Sequence, residues 1–245
     1  MGKFAKGPRR AMKRVSHAWR VALAERSPAW AKRLFGPTVR YLDMLLVDHG
    51  IFRLAYLNLH RLDSKMWRAA QPAPYQLRSL ARKGVRTVVN LRGAHPSSSY
   101  VLEQAACEAA GLALVNYQVR SRAAPTRQEV LGARDLFERI EYPAVLHCKS
   151  GADRAGLMSV LYLHFHKGVP IAEAKKQLSL RYGHIRQADT GILDHFFERY
   201  LADAALRPMP FIEWVETVYE PDALVRDFTA SSIANRIVDS VLRRE

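Results

Sequence analysis

The chain of 245 residues holds only two cysteines, Cys107 and Cys148. Two thiols make no disulfide framework, so a small stapled secreted fold is excluded and a reduced, cytoplasmic setting is expected. No run of about 18 apolar residues occurs, so no membrane-spanning helix is expected. The most apolar stretch, Tyr41 to Leu59, is broken by Asp43, Asp48, His49 and Arg53. The basic start is not followed by an uninterrupted apolar core and a small-residue cleavage site, which argues against a secretory signal. Internal repeats and low-complexity tracts are missing as well. Acid is scarce in two places. Residues 1–40 carry eleven Lys/Arg against the single acid Glu25, a net +10 out of the +15 of the whole chain. Residues 116–127, "NYQVRSRAAPTR", hold no acid at all.

What is present describes a globular protein. Hydrophobic residues make up 49% and charged residues 25%, enough for one sizeable core. The first 40 residues form a separate basic arm. Met12, Val15, Trp19 and Ala22 share one helical face. Ser27-Pro28 starts a second short helix and Gly36-Pro37 stops it. Two readings stand side by side. The arm lies on an anionic membrane surface with Trp19, Trp30 and Phe35 at the interface, placing the protein on the inner face of the membrane, or it is a solvated basic arm. No nucleic-acid reading motif accompanies the charge, so no specific nucleic-acid partner is expected. No feature of the sequence specifies an oligomeric state.

A helix is expected over residues 37–60. Beyond it the periodicity alternates. "KMWRAAQ", "VRTVVNL", "LALVNYQV" and "AVLHC" read as strands. "APYQLRSLARKG", "YVLEQAACEAAG" and "RAGLMSVLYLHFHKG" read as helices closed by glycine, and Pro125-Thr126 opens "PTRQEVLGARDLFERI". After residue 168 only helices are expected: "IAEAKKQLSL", "TGILDHFFERYLADA", "PFIEWVETV" and "PDALVRDFTASSIANRIVDSVLRR". This is an α/β chain: a three-layer sandwich with a small, largely parallel central sheet between helices, plus helical N- and C-terminal extensions.

The chemistry concentrates in "HCKSGADRAG", His147 to Gly156. A strand runs into this loop and a helix leaves it. In the loop, which carries Lys149, Ser150, Gly151 and Ala152, Gly151 lets the backbone curl so that several N–H groups can face one centre. The following helix aims its N-terminus there. Arg154 offers a planar fork for two phosphate oxygens. Positive groups of this kind favour the thiolate, the nucleophilic form of cysteine. The deduced chemistry is in-line attack by Cys148 on phosphorus, a cysteinyl-phosphate, then hydrolysis by water, with no metal and no cofactor needed. His147 sits behind the cysteine as a supporting group.

"HCKSGADR" resembles the His-Cys-x5-Arg signature loop of the cysteine-dependent protein-tyrosine and dual-specificity phosphatases. "MWRAAQPAPYQLRSLARKGVRTVVNLRG" is similar to the opening of the bacterial and fungal dual-specificity-like branch. The resemblance covers roughly residues 50–205 and implies a phosphatase domain at 41–207, with the arm at 1–40 before it and a helical extension at 208–245 after it. It implies Cys148 as nucleophile, Arg154 as phosphate clamp and the loop amides of Lys149 to Arg154 as the phosphate cradle.

Two departures stand out. The family places Ser or Thr after the arginine, where a hydroxyl helps the thiolate leave; here Ala155 stands there. The family also takes a general acid from the loop that here lacks acids, and Glu129 is expected to face solvent. Asp153, inside the signature loop, is the remaining candidate for proton transfer; pairing with Arg154 or another loop group is the alternative. Lys149 with Arg120 and Arg122 would suit a substrate with several negative charges. Together with the basic arm this favours a phosphorylated lipid or polyanionic small molecule at a membrane surface; a phosphotyrosine protein and a weak phosphate-binding adaptor are the alternatives. In "SLRYGHIRQADTG", Arg181, Tyr182, His184 and Gln187 are within reach of the site, Gln187 as a water-positioning group. Cys107 is read as a small core residue.

Overall fold

The computed structural model describes Tyr41 and residues 56–230. The basic arm at 1–40, most of the helix expected over 37–60 and the end of the last helix lie outside the described residues.

Period-2 alternation places the sheet between two cores. Five strands form it: β1 (His60–Arg61), β2 (Met66–Ala70), β3 (Thr87–Asn90), β4 (Ala113–Asn116) and β5 (Ala144–Cys148), in the order β1-β2-β5-β3-β4. β1 pairs antiparallel with β2, and the other pairings are parallel. In β5, Ala144, Leu146 and Cys148 enter the larger core and Val145 the smaller; Met66 and Val89 follow the first group, Ala69 and Val88 the second.

Helices cover both faces, as parallel strands require. The smaller core is closed by Leu77 and Leu80 of α1 (Pro74–Arg82) and by Ala106 and Cys107 of α2 (Ser98–Ala110). The larger core is closed by α3 (Arg127–Arg139), α4 (Asp153–Lys167), α5 (Ile171–Ala174), α6 (Ile192–Leu206) and α7 (Phe211–Thr217). α4 is buried without a break from Ala155 to Tyr162, the pattern of a central helix packed on all sides. Local signals agree with the ends. Ser97 accepts from the Tyr100 N–H at the start of α2, Thr126 and Glu129 form a capping box at α3, and α2 stops at Gly111.

Two expectations are corrected. The helix expected to reach residue 60 does not, because residues 56–59 are not helical, with Asn58 at φ +49°, and His60–Arg61 pairs with Trp67 and Arg68. A two-residue edge strand carries no period to read. The helix expected over Ile171–Leu180 ends at Ala174 and tightens into a 3₁₀ turn at Lys175–Gln177. Leu178 turns into the core there, and Arg68 takes both the backbone carbonyl and the side-chain oxygen of Gln177.

The C-terminal part joins this core. Phe211, Trp214, Val215, Tyr219 and Leu224 are buried in the same cluster as Phe196 and Phe197 of α6. Trp214 stacks on Tyr219 with centroids 5.0 Å apart, and its Nε1–H donates to Asp203 at 2.8 Å. Among the described residues no helix is long and apolar enough to cross a membrane. Trp214→Ala should lower the stability of the whole fold by about 3–5 kcal/mol in chemical denaturation; an unchanged midpoint would mean that α7 lies outside the cooperative unit.

Candidate active site

The carboxyl ends of the parallel strands deliver the site. β5 ends at Cys148, flanked by Ala70 of β2, and α4 begins five residues later at Asp153. Between them the chain turns back on itself. Gly151 has φ +75°, and a Cβ there would stand 2.7 Å from the backbone of Ala69 and Ala70. Only glycine combines that left-handed conformation with that close approach.

The loop is held from behind by side chains the sequence reading did not single out. Arg68 of β2 is fully buried. Its Nη2 donates to the carbonyls of Gly151 at 2.7 Å and Ala152 at 3.0 Å. Its Nη1 donates to Gln177 O at 2.7 Å and Oε1 at 3.0 Å, and its guanidinium lies 4.1 Å from the centre of the Tyr182 ring. Asn58, at φ +49°, donates to the carbonyls of Ser150 at 3.0 Å and Tyr182 at 2.9 Å. In a trans peptide the carbonyl of one residue and the N–H of the next point in opposite directions. Fixing the carbonyls of Ser150, Gly151 and Ala152 to Asn58 and Arg68 therefore turns the amides of Gly151, Ala152 and Asp153 away from those two groups. Three consecutive donors at a helix N-terminus form an anion-binding concavity.

Burial lowers the Arg68 pKa to about 10, against the opposing pull of Tyr182, Cys148 and Asp153. It stays a cation at neutral pH. A sequence signal for it existed: Met66, Arg68 and Ala70 share one face of β2, so the arginine occupies an inward position of a buried strand.

His147 is also fully buried, on the opposite face of the sheet from Cys148. Its Nε2 meets Glu103 Oε1. The other Glu103 oxygen accepts from Gln71 at 2.7 Å, and Gln71 in turn accepts from Arg92. This places His147 behind the cysteine and ties the strand end to α2. Glu103 falls on the same helical row as Ala106 and Cys107, an acid on an apolar face and hence a readable anomaly. Cys107 is a free, buried core thiol whose pKa burial and then Glu103 push up to about 12.

The remaining expected residues fall in different places. Cys148 is buried in the larger core, and Arg154 is half-buried in the first turn of α4. Lys149 is half-buried beside the cysteine, and the side chain of Ser150 is exposed. Ala155 is buried, and its carbonyl accepts from Ser159 at 2.6 Å. Arg120 donates to the carbonyl of Ala124 at 2.9 Å and pairs with Glu129 at 3.4 Å. Glu129 does not face solvent as expected: it accepts from the amides of Arg120 and Thr126 and closes the 120–126 loop onto α3. Arg122 and Gln187 are exposed. Among the described residues no group of three His, Cys, Asp or Glu side chains is placed to hold a metal ion.

Asp153 does not stand alone. His184, 1% exposed, donates to Asp153 Oδ1 through Nδ1 at 2.8 Å and to Asp194 Oδ2 through Nε2 at 2.6 Å. Burial lowers its pKa, but the hydrogen bonds and charges of the two carboxylates outweigh this and raise it to about 9.

Residues 57–191, over half of the chain, match a family model described as DSP-PTPase phosphatase fused to NAD+ kinase. Among solved structures the chain is similar to P. aeruginosa TpbA, with a TM-score of 0.47 and 20% identity over 60% of this chain and 92% of that one. It is similar to PTPMT1 (0.45, 21%, 61% and 99%) and to Tk-PTP in its active form (0.44, 20%, 59% and 99%). No curated protein sequence matches it.

Two outcomes follow from this geometry. Arg68→Met leaves four acceptors without their donor and should cost about 2–4 kcal/mol in chemical denaturation, with weaker binding of inorganic phosphate; full stability and unchanged phosphate affinity would remove Arg68 as the brace. The raised His184 pKa stabilises the fold fully below pH 6.5, and that stability is lost as pH rises through about 9. The stability difference between wild type and His184→Asn should therefore shrink between pH 6.5 and 9.5, and a constant difference would contradict the clasp.

Proposed function

The chain belongs to the dual-specificity-like protein-tyrosine phosphatase family that this model describes, and from that premise we propose that it hydrolyses phosphomonoesters through a cysteinyl-phosphate. Its substrate is a phosphorylated molecule. The observation that carries the mechanism is the braced loop: a cysteine at a strand end, amides turned to one side, and an arginine in the first turn of the next helix.

Each residue has a defined task in this reading. The sulfur of Cys148 attacks phosphorus in line, and the bond to the leaving oxygen breaks. Arg154 and the loop amides hold the equatorial oxygens through the transition state. His147, anchored on Glu103, fixes the strand end behind the nucleophile. Asp153 transfers protons, and Gln187 remains a candidate for water positioning from the rim. Ala155 offers no hydroxyl to the departing thiolate, so the second half of the reaction is the slower one.

For the substrate we favour a phosphorylated lipid or a small polyanion presented at a membrane. Lys149 beside the nucleophile, Arg122 on the exposed loop and the basic residues 1–40 support this reading. Arg120 contributes less directly, since Glu129 and the Ala124 carbonyl already engage it.

The test is hydrolysis of p-nitrophenyl phosphate followed by a substrate panel. Wild type should turn over, and Cys148→Ser should lose at least about 1000-fold in rate. Phosphoinositides in anionic vesicles should then show higher kcat/KM than phosphotyrosine peptides. Equal rates for wild type and Cys148→Ser would overturn the mechanism, and a preference for peptides would overturn the lipid reading.

A further inference from the structure

Asp153 is the only acid in the phosphate loop, and the structure ties it to a buried histidine. His184 arrives from the turn between two 3₁₀ segments, Leu180–Tyr182 and Asp189–Gly191. It bridges the first residue of α4 to Asp194 in the first turn of α6. A carboxylate, an imidazole and a second carboxylate so form one hydrogen-bonded line ending at the loop. Assembling such a group inside a protein is costly, and an apolar residue would fill the space more cheaply. A staple for the 179–191 segment would not need its end on Asp153. That segment is already held by Asn58 and Arg68, which take Tyr182 through its carbonyl and its ring.

The surroundings allow exchange with solvent. A cavity of about 260 Å³ is lined by His184 and Asp194 together with Lys175, Lys176, Arg186 and Glu198. Lys175 and Arg186 both pair with Glu198, at 3.2 and 2.9 Å. The charges directly facing His184 are therefore the two carboxylates, with Lys176 and Arg186 the exposed cations of the rim.

We propose that His184 is a positioning residue for the second half of the reaction, holding Asp153 through Nδ1–H, backed by Asp194, so that Asp153 accepts the proton of the hydrolytic water. This rests on the phosphatase reading above. The water oxygen bonds to phosphorus, the P–S bond breaks with its electron pair passing to Cys148, and the water proton passes to Asp153. Phosphate leaves, and Asp153 returns the proton to solvent. His184 keeps both of its protons throughout. In the first half the substrate oxygen leaves without a proton from this carboxylate, so esters of acidic alcohols and phenols react best. With no hydroxyl at Ala155, the second half depends on this line.

The test compares wild type, His184→Ala, His184→Asn and Asp194→Asn by rapid mixing with p-nitrophenyl phosphate at pH 7. His184→Ala should release the first p-nitrophenol at the wild-type rate and then turn over about tenfold more slowly. His184→Asn should recover part of the loss, because its amide can replace the donor to Asp153. Asp194→Asn should fall between. An unchanged kcat in His184→Ala, or a first turnover slowed by the same factor as kcat, overturns the role. A wild type with no Cys148-dependent release instead overturns the phosphatase reading on which the role rests. The ring offers a readout independent of turnover: ¹⁵N shifts should show both His184 nitrogens protonated at pH 7.5, and a neutral ring would contradict the clasp.

Discussion

A buried guanidinium organises this active site. Arg68 lies under the loop with no carboxylate within ion-pair distance among the described residues; its two terminal nitrogens donate to carbonyls from two chain segments, the Tyr182 ring lies against it, and its Nε has no hydrogen-bond partner among the described residues. A cation so placed is expensive in isolation. Its cost is offset by what it arranges. It turns loop carbonyls backward, and the peptide geometry then turns amides forward. It also holds Gln177, which ends the helix after α4 and brings the 179–191 segment over the loop. Remove the cation, and the loop, the 3₁₀ turn and the position of Tyr182 lose a common anchor.

Around that anchor the charges divide by role. Arg68 and Asn58 stand behind the loop and make structure. Arg154 and Lys149 stand on it and meet substrate in the proposed reaction. His147 and Glu103 lie across the sheet and fix the strand end. His184 reaches Asp153 from the α6 side, with Asp194 bonded to its other ring nitrogen. Cys148 thus sits where separately supported elements meet, which suits the proposed reaction, whose catalysis would be positioning and electrostatics.

Much of this was legible in the sequence because the signals were periodic or local. "AVLHC" reads as a buried strand and is β5 to the residue, and Gly111 and the Thr126 capping box end and begin helices where expected. Cys148, Gly151 and Arg154 stand out through their spacing taken with the strand before them, the helix after them and the flanking histidine. What escaped depends on contacts far apart in sequence. Arg68 meets Gly151 across 83 residues and Asn58 meets Tyr182 across 124. The end of the helix expected over 37–60 reads as helical because its apolar residues suit a helix, yet 56–59 are not helical and His60–Arg61 pairs with β2 instead. Glu129 was assigned to solvent because a helix face was judged from its own sequence, whereas the preceding loop folds back onto it.

The central claim is that Cys148 becomes covalently phosphorylated. Acid quenching within the first turnover on p-nitrophenyl phosphate, followed by peptide mass spectrometry, tests it most directly. The account predicts the mass of one phosphoryl group on the peptide containing Cys148, decaying as turnover ends. A phosphoryl group on another residue, or none on any peptide from an enzyme that is turning over, would contradict it.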